Sequence, residues 1–337
     1  MINENCSVMF EWYQNLPFLI DPVVFSIGFF SVRWYSLTYL GGFAVVYLLL
    51  RYRVKKGEAG KIRNSKSETN PNFQDTNSKP AISKKILNSK FEVRNLYDEK
   101  ILDFMLYAVV GLLVGARFGY VFFYNFDYFT RYPWEIMLPF KTGGTEFQFT
   151  GIAGMSYHGG LIGIIAATWL FARKNRINFW HWIDFAVPAI PAGYFFGRLG
   201  NFLNGELYGR VTGSIWGMYF PLDALGKLRH PSQIYEAFFE GFVLFAVLWF
   251  LRNRKMIPAS NFIIYIFGYG FFRFFIEFFR EPDPQIGLIF NFLTLGQIFS
   301  LAMMAIAAFI YAYAQKMAYP NLFGIRAKKV YNKREIS

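Results

Sequence analysis

Polar side chains are concentrated in one glycine-rich stretch of an otherwise apolar sequence, Gly193 to Gly209, which reads GYFFGRLGNFLNGELYG. Arg198, Asn201 and Glu206 are the groups in this stretch that could do chemistry. An arginine near hydrocarbon costs about 2.5 to 3.5 kcal/mol on insertion scales, so such a residue normally faces a polar cavity. A guanidinium presents donors that match phosphate, and lipid phosphate is the anion that a membrane supplies. The stretch therefore predicts a site for a lipid phosphate.

A second polar stripe lies in GYGFFRFFIEFFREPD, which begins at Gly268. Tyr269, Arg273 and Glu277 fall at i, i+4 and i+8, so they share one face of a helix whose other faces are nearly all Phe and Ile. One interpretation is an internal Arg273–Glu277 ion pair, which costs less to bury than either charge alone. The depth of this pair in an aromatic helix favours a polar cavity.

Three further polar residues, Tyr35, Arg117 and His158, lie on other apolar segments. Tyr35 fits an interfacial anchor as well as a site role. Arg117 fits a snorkelling arginine, or a site residue or a salt bridge that supports one. His158 precedes Gly159 and Gly160, which leave room for a substrate, and an imidazole can accept a proton near neutral pH.

These groups suit a displacement at a carbon atom whose leaving group is a lipid phosphate. The arginines would hold the phosphate and stabilise charge as the C–O bond breaks, and the imidazole would deprotonate the nucleophile. The sequence has no GxSxG motif, and its one cysteine, Cys6, lies outside every motif, so we expect no covalent nucleophile. HExxH and DxDxDG patterns are absent as well, and we expect neither a metal nor a cofactor. For Glu236 and Glu240, at i and i+4, we expect a structural ion pair with a membrane arginine.

The composition indicates a polytopic membrane protein. Of the 337 residues, 54% are apolar and 21% aromatic, which is too hydrophobic for an ordinary soluble domain. Seven apolar runs are long enough to span about 30 Å of hydrocarbon. We therefore predict an all-α fold with about seven transmembrane helices, at Trp34 to Tyr52, Ile101 to Tyr124, Ile152 to Ala172, Phe179 to Leu203, Ile234 to Leu251, Phe262 to Phe279 and Phe292 to Tyr313. The second of these contains Gly111, Gly115 and Gly119, two overlapping GxxxG steps that predict a close-packing face.

The placement of basic residues predicts the orientation. The net charge of +13 could suggest nucleic acid, but Lys and Arg are split 25 to 6 between alternate loops. This is the positive-inside pattern, so we expect the N-terminus outside, the C-terminus in the cytoplasm and no nucleic-acid partner. The candidate site residues then all lie in the outer halves of their spans, which predicts one polar cavity at the extracytoplasmic leaflet.

The predicted organisation has three parts. Residues 1–33 form an extracytoplasmic arm, 34–315 the seven-helix catalytic domain and 316–337 a basic cytoplasmic tail. Within the second part, 55–95 is rich in Lys, Ser and Asn and is predicted to be a disordered cytoplasmic loop. The residues before Asp21 lack a basic segment followed by an apolar one, so we expect no cleavable signal peptide.

Six motifs together resemble those of the bacterial prolipoprotein diacylglyceryl transferases. They occur in order and cover most of the chain from Asp21 to Tyr313, apart from residues 55–95. The motifs are RWYSLTYLGGF at Arg33, GARFGYVFFYN at Gly115, MSYHGGLIG at Met155, GRLGNFLNGELYG at Gly197, RHPSQIYE at Arg229 and GYGFFRFFIEFFREPD at Gly268. Two features depart from the family pattern: the cytoplasmic insertion is longer, and the outer loop between Tyr208 and Arg229 is shorter.

The resemblance implies an enzyme of the bacterial inner membrane that moves the diacylglyceryl group of phosphatidylglycerol onto the lipobox cysteine thiol of a preprolipoprotein. A thioether forms and glycerol 1-phosphate leaves. The implied partners are phosphatidylglycerol, prolipoprotein signal peptides with a lipobox cysteine, and membrane lipid. The acceptor thiol belongs to the substrate, so the chain needs no nucleophile of its own.

The matching motifs also imply the roles of individual residues. Arg198 and Arg273 would hold the phosphate, and His158 is either the general base or a positioning residue. We expect a catalytic set and a substrate-binding set, with Arg198 in both. These are His158, Arg198, Arg273, Glu206 and Tyr35 for catalysis, and Asn201, Gly209, Arg117, Tyr269 and Glu277 for substrate.

Two other classes of function explain the sequence less well. A lipid or solute transporter would also place charged residues in a membrane cavity, but it favours inverted repeats and polar groups that reach both leaflets. The sequence shows no internal repeat, and the inner halves of the spans are apolar. A structural membrane subunit would leave Arg198 and Arg273 unexplained.

Overall fold

The computed structural model shows a mostly helical chain. It describes residues 10–28, 30–58, 79–138, 140–141, 148–149, 154–254, 257, 259–281, 288–289 and 293–318. The helices are α1 (Trp34–Lys55), α2 (Lys79–Tyr124), α3 (Phe126–Arg131), α4 (Tyr157–Lys174), α5 (Phe179–Ala186), α6 (Ile190–Leu203), α7 (Ser232–Leu251), α8 (Ser260–Ile276) and α9 (Leu295–Ala318).

Four helices of the described chain are long and apolar enough to cross a membrane, and α8 is a shorter apolar helix. Each of the five coincides with a predicted apolar run, so the helical membrane character is confirmed. The four long segments are Trp34–Lys55, Asp98–Tyr124, Ser232–Leu251 and Leu295–Lys316.

The predicted span from Phe179 to Leu203 is not one continuous helix. A 3-10 turn, Val187–Ala189, separates α5 from α6. The turn contains Pro188, and Pro191 follows at the start of α6. Proline has no N–H for the helical hydrogen bond, and its ring clashes with the preceding turn, so it breaks a helix interior.

Helix α2 reaches into the segment that the sequence predicts to be disordered. The helix begins at Lys79, so residues 79–95 are helical, whereas 59–78 lie outside the described residues. Lys, Glu and Arg are good helix formers, and the segment continues directly into an apolar span that nucleates the helix. The basic tail after residue 318 also lies outside the described residues.

Among the residues that it describes, the structure adds three short antiparallel strand pairs to the predicted all-α architecture. The largest joins β1 (Val23–Ile27) to β2 (Phe30–Arg33) within the predicted N-terminal arm. Alternation of apolar residues from Val23 to Val32 fits the two-residue period of a strand. The other two pairs are β3 (Phe140–Lys141) with β4 (Gln148–Phe149) and β5 (Leu288–Ile289) with β6 (Leu293–Thr294).

The chain divides into two compact units, 1–49 with 183–337, and 50–182. In the second unit, α2 and α4 pack backbone to backbone along the predicted glycine face. A Cβ on Gly115 would lie 2.4 Å from the carbonyl oxygen of Gly159, and one on Gly163 would lie 2.0 Å from that of Gly111. Only glycine permits this approach, which confirms the predicted close-packing role of the GxxxG steps.

In the first unit, α1 packs against α6 in the same way. A Cβ on Gly42 would lie 2.9 Å from the carbonyl oxygen of Gly193, and one on Gly200 would lie 2.2 Å from Thr38 Oγ1. The small residues of the glycine-rich stretch thus bring the α1 backbone beside the face that carries Arg198.

Candidate active site

The polar centre of the first unit is Glu236, on the first turn of α7, which meets three arginines. Oε1 accepts hydrogen bonds from Arg273 Nη1 at 2.9 Å and from Arg280 Nη1 at 2.8 Å. Oε2 lies 2.8 Å from Arg198 Nε. The Glu236 side chain is 1% accessible, whereas those of Arg198, Arg273 and Arg280 are 17%, 15% and 20% accessible. The carboxylate of the cluster is therefore buried, whereas its three arginine side chains are partly accessible.

Arg198 is oriented by its own helix and by α7. Its Nε donates to the hydroxyl of Tyr194, one turn earlier, at 2.8 Å, and its guanidinium carbon lies 4.9 Å from the centre of that ring. The Tyr194 hydroxyl donates in turn to the buried Glu240 carboxylate on α7. The guanidinium is thus fixed at its Nε edge. Nη1 lies 3.4 Å from Asn201 Oδ1.

Glu206 is held by amides rather than by a cation. Asn201 Nδ2 donates to Oε1 at 2.8 Å, and Asn204 Nδ2 donates to Oε2 at 3.1 Å. Gln233 Nε2 donates to the backbone carbonyl of Glu206 at 2.6 Å. The predicted residues Arg198, Asn201 and Glu206 therefore form one continuous hydrogen-bonded chain.

The predicted ion pair on α8 is present, and α9 completes it. Arg273 Nη2 lies 3.0 Å from Glu277 Oε2, and the Thr294 hydroxyl donates to Glu277 Oε1 at 3.1 Å. A Cβ on Gly296 would lie 2.4 Å from that carboxylate oxygen, so α9 begins directly against Glu277. Arg273 thus bridges two carboxylates, Glu236 and Glu277.

Gly209 lies where the outer loop meets the end of α8. It forms a β-bridge with Arg280 and donates its N–H to the carbonyl of His230 at 2.8 Å. A Cβ on Gly209 would lie 2.2 Å from the carbonyl oxygen of Phe279. Arg210 Nε then donates to the Arg280 carbonyl at 2.8 Å. Gly209 therefore sets the backbone position of Arg280.

The two predicted tyrosines of this unit lie beside the cluster. The Tyr269 ring packs edge-on against Tyr194, with centroids 5.8 Å apart. The Tyr35 hydroxyl donates to the Tyr39 hydroxyl at 3.3 Å, and the two rings are 4.7 Å apart. The Tyr35 Cα lies next to Gly200, two residues beyond Arg198.

The outer loop between Tyr208 and His230 is fastened by an ion pair. Arg229 donates two hydrogen bonds to the Asp223 carboxylate, from Nε and from Nη2, each 2.9 Å long. Its Nη1 donates a third hydrogen bond to Glu281 at 3.1 Å. Hydrogen bonds from Arg229 hold the pKa of Asp223 below its usual range. A small core of Phe202, Met218 and Phe220 packs beneath the loop.

Arg117 and His158 belong to the second unit. Arg117 is buried, and its guanidinium donates to the carbonyls of Glu135 at 2.6 Å, Ile136 at 2.7 Å and Gly154 at 3.2 Å. These contacts fix the turn Pro133–Ile136, so they give Arg117 a structural role as well. His158 is exposed in the first turn of α4, whose N-cap is Ser156. That these two residues share a cavity with Arg198 stays a prediction.

Sequence reasoning missed the residues that join the predicted ones. Glu236 and Glu240 were expected to pair with an arginine, but Glu236 pairs with three and Glu240 binds Tyr194. Arg280 lies one residue beyond the predicted span Phe262 to Phe279, so the sequence placed it in a loop. The available signal for Tyr194 was spacing, because Tyr194 and Arg198 are i and i+4.

The arrangement can bind an anion. Three guanidiniums share the Glu236 carboxylate, and Arg273 alone among them also pairs with Glu277. The three arginine side chains are partly accessible, and guanidinium N–H groups are donors that match phosphate. The carboxylates of Glu206, Glu236 and Glu277 are each engaged by amide, hydroxyl or guanidinium donors, a set that does not favour a metal ion.

Comparison with known proteins identifies the family. The family model described as prolipoprotein diacylglyceryl transferase matches residues 22–72 and 81–313. A protein of Chlorobaculum tepidum is 43% identical over 307 residues, which cover 91% of this chain and 94% of the relative. Proteins of Bordetella avium (40% identity; 84% and 90% covered) and Campylobacter lari (35%; 91% and 98%) match similarly. All three carry the name phosphatidylglycerol-prolipoprotein diacylglyceryl transferase. The chain therefore belongs to the prolipoprotein diacylglyceryl transferase family.

Proposed function

We propose that this protein transfers the diacylglyceryl group of phosphatidylglycerol to the lipobox cysteine of prolipoproteins, the first step of lipoprotein maturation. The observation that carries the proposal is the arginine cluster at Glu236, in a family whose named members act on this lipid and this acceptor.

The chemistry follows from the charges. Thiolate sulfur attacks the glycerol carbon that bears the phosphate, the C–S bond forms and the C–O bond breaks. The thiol gives up its proton, and the phosphodiester monoanion becomes the dianion of glycerol 1-phosphate. Arg198 and Arg273 gain interaction energy with the phosphate as its charge grows, which lowers the barrier.

His158 completes the proposed mechanism as the acceptor of the thiol proton, and the alternative is that it orients the substrate. Its place in the first turn of α4, followed by two glycines, leaves its ring exposed for a substrate to approach. Asn201, Glu206, Gly209, Tyr269 and Glu277 act in the proposal as the frame of the phosphate site, with Tyr35 beside it. Arg117, in the second unit, supports the turn Pro133–Ile136.

The topology that serves this chemistry has seven spans in the bacterial inner membrane, with the N-terminus outside and the site in the extracytoplasmic leaflet. The arm at 1–33, the catalytic domain at 34–315 and the tail at 316–337 are its parts. The positive-inside split of the basic residues supports this orientation, which also places the site on the side where exported lipoproteins arrive.

One reconstitution experiment tests the function. Purified protein in detergent is incubated with phosphatidylglycerol and a lipobox peptide, and the peptide is analysed by mass spectrometry while released glycerol phosphate is assayed. We expect a diacylglyceryl mass gain on the cysteine that is absent with a Cys→Ser peptide and with Arg198→Ala. Binding of phosphatidylglycerol without any mass gain would instead favour the transporter interpretation.

A further inference from the structure

Arg280 has the structural setting of a site residue although it lies beyond the end of α8. Its guanidinium is directed at the same carboxylate oxygen that Arg273 contacts, at 2.8 Å. Its side chain is 20% accessible, similar to Arg198 and Arg273. Arg280 is thus the third member of one cluster rather than a surface cation of the outer loop.

The ion pairs of this cluster balance its charge only in part. Glu236 is shared by three guanidiniums, Glu277 pairs only with Arg273 among them, and the nearby Glu240 carboxylate accepts from the Tyr194 hydroxyl rather than from an arginine. Uncompensated charge is costly in a buried site, so the cluster favours an additional anion. A guanidinium has five N–H donors, and Arg280 uses one of its terminal nitrogens for Glu236.

The backbone around Arg280 is fixed more firmly than a loop arginine requires. The Gly209 bridge, the Arg210 N–H to Phe279 carbonyl bond at 2.9 Å and the Arg210 side-chain bond at 2.8 Å all act within two residues of it. A fixed backbone reduces the cost of ordering the loop when a ligand binds. The outer loop therefore presents Arg280 in a preorganised position.

We propose that Arg280 is a third phosphate-binding side chain of the donor site and that Glu236 is the positioning residue that holds all three guanidiniums toward the phosphate. The inference rests on the proposed function for the identity of the ligand, a lipid phosphodiester. In the reaction, Arg280 contacts the phosphate oxygens and Glu236 acts through the arginines without touching substrate.

The first test measures binding rather than turnover. Glycerol 1-phosphate and phosphatidylglycerol are titrated into purified full-length protein in detergent, for the wild type, Arg280→Gln and Arg280→Lys. A charge-assisted hydrogen bond is worth about 1.5 to 3 kcal/mol, so Arg280→Gln should weaken glycerol phosphate binding about 10- to 100-fold. Arg280→Lys, which keeps the charge but not the fork, should recover part of the loss.

The matched control is Lys227→Gln, which removes one positive charge from an exposed position of the outer loop. It should bind glycerol phosphate as the wild type does. Should Arg280→Gln fail to fold, Arg280→Lys decides the question, because weaker binding at an unchanged thermal midpoint still supports the inference. Wild-type affinity in either Arg280 variant overturns it.

The second test concerns Glu236. Glu236→Gln keeps the shape and removes the anion, so the arginines stay cationic but lose their common orientation. We expect kcat/KM for phosphatidylglycerol to fall at least about tenfold and glycerol 1-phosphate to bind more weakly, because the phosphate donors are no longer aligned, and Glu236→Asp to restore part of both. A Glu236→Gln protein with normal kcat/KM and only a lower thermal midpoint would show that the carboxylate is merely structural.

The proposed function and the proposed role of Arg280 can fail separately. If the wild type binds both ligands but never modifies the peptide, the proposed function fails while the binding series still reports on Arg280. If the wild type modifies the peptide and Arg280→Gln binds glycerol phosphate normally, only the inference about Arg280 fails.

Discussion

At the scale of single residues, the site depends on how guanidiniums are aimed rather than on how many there are. Arg198 is fixed at Nε by Tyr194, so its terminal nitrogens have a defined direction. A lysine has one compact ammonium and no fork, so it cannot contact Tyr194, Asn201 and a phosphate at the same time.

Arg198→Lys should therefore lower kcat/KM about 10- to 100-fold, the equivalent of one charge-assisted hydrogen bond. The measurement is peptide lipidation at several concentrations of phosphatidylglycerol. Arg131→Lys, at an exposed position outside the site, is the control and should keep wild-type activity. Near-normal turnover in Arg198→Lys would show that the position needs only a positive charge.

His158→Ala separates a general base from a positioning residue through the pH dependence of the reaction. A free thiol has a pKa of about 8.5, so the acceptor peptide ionises without help above that pH. If His158 is the base, lipidation by His158→Ala should be strongly reduced at pH 7 and rise toward the wild-type rate by about pH 9. A loss that is equal at every pH would assign His158 to substrate positioning.

Much of the site could be predicted from the sequence, residue by residue. A charged side chain in an apolar run is visible in the sequence, so Arg198, Arg273 and Glu277 could be found without a structure. Glu236 could be found too, but its partners could not, because contacts between helices depend on packing that spacing along one helix does not encode. Arg280 was missed because it follows the end of α8, where no helical period applies.

At the scale of elements, α2 and α4 depend on the absence of side chains between them. The spacing of Gly111, Gly115 and Gly119 predicted this close-packing face. The sequence did not indicate that Gly159 and Gly163 on α4 would pack against it. The break between α5 and α6 was missed because the apolar run is continuous, although Pro188 and Pro191 were the available signal.

Gly163→Ala should therefore destabilise the protein even though alanine is the better helix former. Its Cβ would lie 2.0 Å from the Gly111 carbonyl oxygen, so the helices must separate, at a cost of about 1 to 3 kcal/mol for overpacking. The thermal midpoint in detergent should fall accordingly. Gly213→Ala is the matched control, since nothing lies within 4 Å of a Cβ there, and it should leave the midpoint unchanged. Equal midpoints for the two variants would contradict the close packing.

The outer loop should respond to acid through Asp223. Its folded-state pKa lies below the unfolded value of about 3.9, so the ion pair contributes stability above that pH and loses it as pH falls through the folded-state pKa. Asp223→Asn lacks this titration. The difference in thermal midpoint between wild type and Asp223→Asn should be constant from pH 7 to pH 5 and shrink below about pH 4. A difference that does not shrink at all between pH 5 and pH 3 would mean that the Asp223 charge is not the source of the stability.

At the scale of the whole molecule, the distribution of charge predicts the orientation of the chain and so the leaflet in which the arginine cluster would lie. Residues 51–100 alone carry 13 of the Lys and Arg residues, and 12 more lie in the other loops assigned to the cytoplasm. Without the first loop the split is still 12 to 6. Basic residues near short connections resist translocation, so the sequence favours one orientation strongly.

Thiol labelling in intact cells tests that orientation, because Cys6 is the only cysteine of the chain. With the N-terminus outside, a membrane-impermeant maleimide should label Cys6 without permeabilisation. In a Cys6→Ser, Ser67→Cys variant, the new thiol lies in the basic loop and should react only after the inner membrane is opened. The reverse pattern would place the cluster of Arg198, Arg273 and Arg280 at the cytoplasmic leaflet, where a lipobox cysteine exported across the membrane could not reach the bound phosphate. The same thiol-labelling measurement therefore tests both the orientation of the chain and the proposed chemistry.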